Sequence, residues 1–281
     1  MARKILMICL ALLLSFIAIT FSINRQNVTQ AASQVSPGQE RSESIQLSCI
    51  QPTSLEQQNH CDRIRERILA VTVRIEMHAQ YVLQGNSYTK INPSHATIMA
   101  GRYLATHNHF KFPLKVTAAN DEEGYLAISL RRADGTLILD EAPLDAIKIV
   151  HADSQTLVLE FLNDQGEGLF AALGLPSADF IDWRPANLQP GMELAQIDWD
   201  GQQAHVDWVQ IDVLQLEEAV PQLLVDNFAR FGCSGGGVFW NNQHIGNNWA
   251  RSIEENLATD EITRRYSIIA LNSTAVLELE P

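Results

Sequence analysis

From Val71 onward the chain is a succession of short β-type runs separated by turn residues, and this punctuation restricts the fold more than any other feature. A short helical turn near Arg63 leads into an alternating stretch from Val71 to Met77. Then follow SHATIMA at 94–100, KVTAAN at 115–120, GYLAISLRR at 124–132, GTLILD at 135–140, AIKIVHA at 146–152 and TLVLEFL at 156–162. A break rich in Pro and Gly over 163–190 precedes MELAQIDW at 192–199, AHVDWVQIDVLQLEE at 204–218, GVFW at 237–240 and YSIIAL at 266–271. Runs of this length and spacing, with Asp134-Gly135 and Asp200-Gly201 as turns, predict an all-β sandwich or barrel in two halves of similar size. Outside the segment near Cys61–Leu69 no long amphipathic helix is expected.

Composition narrows the partners. Of 281 residues 20 are basic and 33 acidic, a net charge of −13 that repels phosphate backbones and argues against nucleic acid. The N-terminus carries Arg3 and Lys4 before an uncharged apolar run from Ile5 to Ile23. Such a run spans about 28 Å as a helix, close to the apolar thickness of a bilayer. Residues 1–30 are therefore expected to be a signal peptide or a membrane anchor, the chain's one link to a membrane, and the remainder to be exported, periplasmic or secreted. Residues 31–62 are polar and read as a flexible tether. In an oxidising compartment Cys49 and Cys61 either bridge or stay free thiols. No CxxC pair suggests zinc, and neither a metal nor another cofactor is expected. The oligomeric state is not legible.

The chemistry concentrates in two places. In Phe231-Gly232-Cys233-Ser234-Gly235-Gly236-Gly237-Val238 a serine lies among four glycines just before a strand. Glycine lets the backbone take turns closed to other residues and lets a ligand come close, which suits an exposed nucleophile with N–H groups aimed at an oxyanion. The alternative is a glycine-rich turn with an idle serine. The second place is Tyr103-Leu104-Ala105-Thr106-His107-Asn108-His109, an apolar strand ending in two histidines. One of them can serve as a base near neutrality; the competing reading is a His-x-His metal pair, for which a third ligand is missing.

These segments resemble the trypsin-like serine peptidases, in particular the Deg/HtrA branch. LATHNHF is similar to that branch's Leu-Thr-Asn-Asn-His-Val, which implies His109 as the base. VDNFARFGCSGGGVF is similar to its Asn-Ser-Gly-Gly-Pro-Leu region, which implies Ser234 as the nucleophile with the backbone N–H groups of Gly232 and Ser234 as oxyanion hole. LQPGMELAQIDWDG and IIALNSTAV match the start of the second barrel and the closing segment. The resemblance implies two antiparallel six-stranded β-barrels, at about 63–165 and 185–281, together forming a peptidase domain over 63–281 that cuts polypeptides at the cleft between them. No peptide-binding regulatory domain of the PDZ type is expected after Val276.

The acid position departs from the pattern. The best register places Gln155 where an aspartate belongs, so either Asp153 serves as the acid, or Gln155 is a neutral orienter, or the acid is another carboxylate or missing. Cys233 replaces the usual Asp or Asn before the nucleophile, and thiol attack is the weaker alternative to Ser234. Phe228 and Phe231 are expected at the substrate pocket, with a preference for small or apolar side chains. The function read from these residues is a serine endopeptidase. The alternatives are a catalytically impaired relative that keeps the barrels as a binding module, and a carboxylic-ester hydrolase.

Overall fold

The computed structural model describes residues 48–109, 123–144, 147–184, 186–217, 220–256 and 261–279. The expected run at 115–120 and the apolar N-terminal segment lie outside the described residues. Among the described residues no helix is long and apolar enough to cross a membrane.

Helix α1 spans Leu55–Ala70 and starts on a reciprocal cap: Ser54 Oγ accepts the Gln57 N–H, while Gln57 Oε1 accepts the Thr53 N–H. Its buried residues Gln57, Cys61 and Ile68 fall on one face. Ile68 and Val71 enter a cluster with Ala195, Ile197, Ala204, Val206 and Phe239 of the C-terminal half. Cys49 and Cys61 form a disulfide, and the Glu193 carboxylate accepts Ser48 Oγ–H and the N–H groups of Cys49 and Ile50. Residues 48–62 are therefore not the tether expected for them: a capped helix, a disulfide and one carboxylate fasten them to the second barrel.

The strands are β1 (Thr72–Leu83), β2 (Asn86–Met99), β3 (Tyr103–His107), β4 (Glu123–Arg132), β5 (Leu137–Pro143), β6 (Lys148–Ala152) and β7 (Thr156–Glu160) in the first half. In the second half they are β8 (Glu193–Trp199), β9 (Ala204–Gln215), β10 (Gln222–Val225), β11 (Gly237–Trp240), β12 (Gln243–Asn256) and β13 (Glu261–Leu271). The second set closes a six-stranded barrel in the order β10-β13-β12-β11-β8-β9. The first forms a seven-stranded sheet, β5-β4-β1-β2-β3-β7-β6, where six strands in a closed barrel were expected. Its edge strands β5 and β6 follow each other in the chain. The five steps from Pro143 to Lys148 reach at most about 18 Å, so the sheet must curl until its edges nearly meet. Covalent continuity closes this half where hydrogen bonds close the other.

Each half has its own core, centred on Ile75, Ile98, Leu104 and Leu157 in the first and on Leu194, Leu223, Val238 and Ile269 in the second. Two short helices complete the described fold, α2 (Leu169–Ala172) and α3 (Thr274–Leu277). The latter places Val276 against Met99, Tyr103 and Val158, so the C-terminal turn packs on the first sheet as α1 packs on the second barrel.

Candidate active site

The glycine-rich loop between Phe231 and β11 is held from both sides. Strand β2 of the first half grips it: the His95 N–H and the Ser94 hydroxyl both donate to the Ser234 carbonyl, at 2.9 and 2.8 Å. Strand β12 grips it from the second: Gly235 N–H donates to Asn248 O at 2.7 Å, and Asn248 N–H to Gly236 O at 2.9 Å. Gly232 and Gly235 take φ of +100° and +80°, the left-handed region where a side chain is strained. A Cβ on Gly235 would also collide with Thr106 Oγ1, the His95 carbonyl and the His107 ring.

Within the loop, the N–H groups of Cys233, Gly235 and Gly236 are spent on Arg230, Asn248 and Cys233 carbonyls. Among the described residues the N–H groups of Gly232 and Ser234 find no acceptor in the protein. Backbone donors in a folded chain are almost always satisfied, so an unspent pair flanking one residue is open to an acceptor oxygen from water or a ligand.

Three histidines surround this loop. His95 is buried, and its Nδ1–H donates to the Gly232 carbonyl at 2.7 Å while the ring leans on Trp199. Burial pushes its pKa down to about 4, with the Gly232 bond opposing, so the ring is neutral. His107 is buried too. The His109 backbone N–H can only donate, so His107 Nδ1 accepts it, at 3.0 Å. The His107 proton then sits on Nε2 and is donated to Ser94 Oγ at 2.8 Å. The result is a relay from the His109 backbone through His107 and Ser94 to the Ser234 carbonyl. Burial, then the neighbouring His109 and His95, push the His107 pKa well below 6.5. With both ring nitrogens engaged, His107 is not free to pair with His109 on a metal.

His109 keeps an exposed edge. Its ring stands 4.1 Å from that of His107 and 6.3 Å from that of Trp249. Desolvation by these walls lowers its pKa, opposed by a hydrogen bond to the Trp249 backbone, so the ring is neutral at pH 7. The Trp249 backbone follows Asn248, which binds Gly235, so the end of β3 that carries His109 approaches the loop that carries Ser234. Among the described residues no hydrogen bond joins Ser234 Oγ to the His109 ring.

Among the described residues neither Asp153 nor Gln155 is hydrogen-bonded to the His109 ring. Asp153 Oδ1 accepts the N–H groups of Gln155 and Thr156, and Oδ2 pairs with His151 Nε2 at 3.0 Å. Burial works against its charge, but the His151 ring and those N–H groups hold its carboxyl below the usual range. Gln155 is buried, its Oε1 has no partner among the described residues, and its backbone carbonyl accepts the Asn108 N–H at 2.8 Å. The 153–155 turn thus supports the strand end that carries His109 through its backbone.

Cys233 is buried and donates its thiol to the Arg230 carbonyl. Burial, together with the Asp198 charge, pushes its pKa up to about 12, which leaves almost no thiolate at neutral pH and disfavours thiol attack. Metal-ligand spacing occurs at Asp198, His205 and Asp207, whose ligand atoms lie within 4.8 Å of one another. Asp198 there also accepts the Arg230 N–H at 2.8 Å. At the expected pocket Phe231 is 80 % exposed and Phe228 partly buried, with the guanidinium of Arg251 between them. Sequence reasoning missed Ser94, His95 and Trp249. The available signal was a polar Ser-His pair opening an otherwise apolar run.

No protein-family model matches the chain, and no curated protein does. Among solved structures it is similar to a variant of the HtrA-type protease AlgW with a decapeptide, at 14 % identity and a TM-score of 0.52. The match covers 75 % of this chain and 62 % of that one, so the chain spans less than two thirds of that structure's length. It is also similar to the Rv3671c protease from M. tuberculosis in its active form, at 11 % identity, over 73 % of this chain and 78 % of that one, with a TM-score of 0.46. With one closed six-stranded barrel and one curled sheet, the chain has the trypsin-like double-barrel fold, as seen in an HtrA-type protease.

Proposed function

We propose that the chain is an exported serine endopeptidase that hydrolyses polypeptides through an acyl-enzyme on Ser234. The observation that carries this reading is the pair of N–H groups at Gly232 and Ser234 that no acceptor among the described residues takes, on either side of the bonded Cys233 N–H. The HtrA-type neighbour was solved with a decapeptide, which supports a polypeptide substrate. Export rests on the apolar run from Ile5 to Ile23, as a signal or an anchor.

In this mechanism the His109 ring turns from the Trp249 backbone to Ser234 Oγ and takes its proton as Oγ attacks the carbonyl carbon. The N–H groups of Gly232 and Ser234 receive the developing oxyanion. His109 then returns the proton to the leaving amine, and water repeats the sequence on the acyl-enzyme. Among the described residues no carboxylate is hydrogen-bonded to the His109 ring, so none of them supplies a charge to stabilise the imidazolium. Losing the acid in such a triad costs about 10⁴-fold in turnover, so the expected enzyme is slow. That same feature favours the second reading, a binding module that keeps the cleft without chemistry.

A fluorophosphonate probe separates the two. Labelling that vanishes in Ser234→Ala and weakens in His109→Ala supports the peptidase. Absence of labelling at saturating probe from pH 6 to 9 discards it and leaves the binding module.

A further inference from the structure

Beside the Asn227–Phe231 loop stand two arginines that have no carboxylate partner among the described residues. Arg251 on β12 lies between two aromatic rings, 3.8 Å from the Phe231 centroid and 4.6 Å from that of Phe228. Arg265 on β13 also lies over Phe228, at 5.6 Å. Among the described residues neither arginine forms an ion pair, whereas Arg264 is held by Asp212, Arg74 and Arg131 by Glu76, and Arg102 by Glu160. Arg63, Arg67 and Arg132 also form no ion pair among the described residues; what sets Arg251 and Arg265 apart is that both stand over aromatic rings of the Asn227–Phe231 loop. The protein's own contact to the Arg251 guanidinium is a long one from Nη1 to the Ala229 carbonyl, at 3.4 Å. Aromatic rings near its faces hold a guanidinium in place and leave its N–H edge for a carboxylate.

The placement is specific to this loop. Arg251 is opposite Ser267 in the β12–β13 ladder. Ser267 Oγ accepts the Ala229 N–H and donates to the Asn227 carbonyl, closing the floor between the ladder and the Asn227–Phe231 loop. Ser234 follows Phe231 by three residues, and Gly235 is bonded to Asn248, three residues before Arg251. Three strand residues cover about 10 Å, comparable to the reach of one extended substrate residue with its side chain. The Arg251 charge is felt at Cys233, next to Ser234.

We propose that Arg251, held between Phe228 and Phe231, selects polypeptides with Glu or Asp at the residue whose carbonyl is attacked. This rests on the peptidase reading and names its substrate class, in place of the small or apolar preference expected from the loop alone. The carboxylate docks on the guanidinium edge, and Arg265 adds positive potential behind it.

Two measurements test this separately from the chemistry. With matched fluorogenic peptides carrying Glu, Gln, Leu or Lys at that residue, kcat/KM for Glu should exceed that for Gln by about tenfold or more. The Glu-to-Gln ratio should fall to near 1 in Arg251→Gln and in Arg251→Ala, and Arg251→Glu should move the preference to Lys. In the Ser234→Ala protein the Glu peptide amide should bind more tightly than the Gln one by fluorescence anisotropy, an advantage that added salt reduces and Arg251→Gln removes. Fluorophosphonate labelling of Ser234 without any Glu advantage in either assay overturns the inference and spares the peptidase. Selective binding of the Glu peptide without labelling does the reverse. A Glu advantage that survives both neutral Arg251 variants also overturns it.

Discussion

Acid should unfold this protein over a window set by two buried histidines. His95 holds Gly232 and is pushed down to about 4 chiefly by burial; Arg74 lowers it further, while the Gly232 bond and Asp198 oppose. His244, buried in the second half and bonded to Asn247, is likewise pushed down to about 4 by burial. In the unfolded chain both titrate near 6.5, so between pH 6.5 and 4 the unfolded state binds protons that the folded state refuses. Stability is therefore full above pH 6.5 and falls with pH until the folded groups titrate. A shift from 6.5 to about 4 corresponds to about 3 kcal/mol per histidine over the whole window, and about 2 kcal/mol each by pH 5. Two such groups remove about 4 kcal/mol at pH 5, a large part of an ordinary domain's 5–15 kcal/mol. Buried His107 acts in the same direction. Urea unfolding at pH 7.5, 6 and 5 measures the slope. His244→Gln, which keeps an amide donor near Asn247, should recover about half of the two-histidine loss between pH 7.5 and 5. A stability that is level from pH 7.5 to 5, or a slope that the variant leaves unaltered, refutes the reasoning.

Other outcomes follow from the same geometry. Gly235→Ala meets both a φ of +80° and a filled space, whereas Gly85→Ala meets a φ of +81° with nothing within 4 Å. The first should cost about 2–5 kcal/mol and the second about 1–2, so equal losses in chemical denaturation would show that the loop is not packed as described. Replacing Cys49 and Cys61 together by Ala opens a loop of sequence separation 12 and should destabilise by about 3 kcal/mol, read from the urea midpoint of both forms. An unshifted midpoint would mean that the packed helix α1 and Glu193 hold residues 48–62 without help from the disulfide. His107→Leu leaves the His109 N–H without its acceptor and Ser94 Oγ without its donor, at about 1–3 kcal/mol each, and should slow fluorophosphonate labelling of Ser234. His107→Gln, which keeps the donor toward Ser94, should recover part of that rate. Labelling at the wild-type rate in His107→Leu would reduce the relay to packing.

Much of this was legible along the chain. Short alternating runs declare an all-β fold because side-chain direction in a strand has period two. The Gly-x-Ser-Gly-Gly loop and the histidine strand were readable because glycine and imidazole carry their chemistry locally. Other elements left no such trace. Strand β2 starts at Asn86, within a polar exposed stretch that has no apolar alternation, and β10 has only four residues. The Ser54-x-x-Gln57 cap was present in the sequence but was read as part of a tether.

What residue order by itself determined is local: where the chain can extend, where it must turn, and which side chains can attack or accept a proton. Tertiary structure alone decided which groups meet. It spent the Asp153 carboxylate on its own turn and on His151, left Gln155 Oε1 without a partner among the described residues, and brought Ser94 and His107 under the Ser234 carbonyl across 140 and 127 positions of chain. It also placed Arg251, remote from the pocket loop in sequence, between that loop's two phenylalanines. Such meetings depend on strand register and on how two sheets face each other, and those follow from packing summed over both cores, not from any one segment.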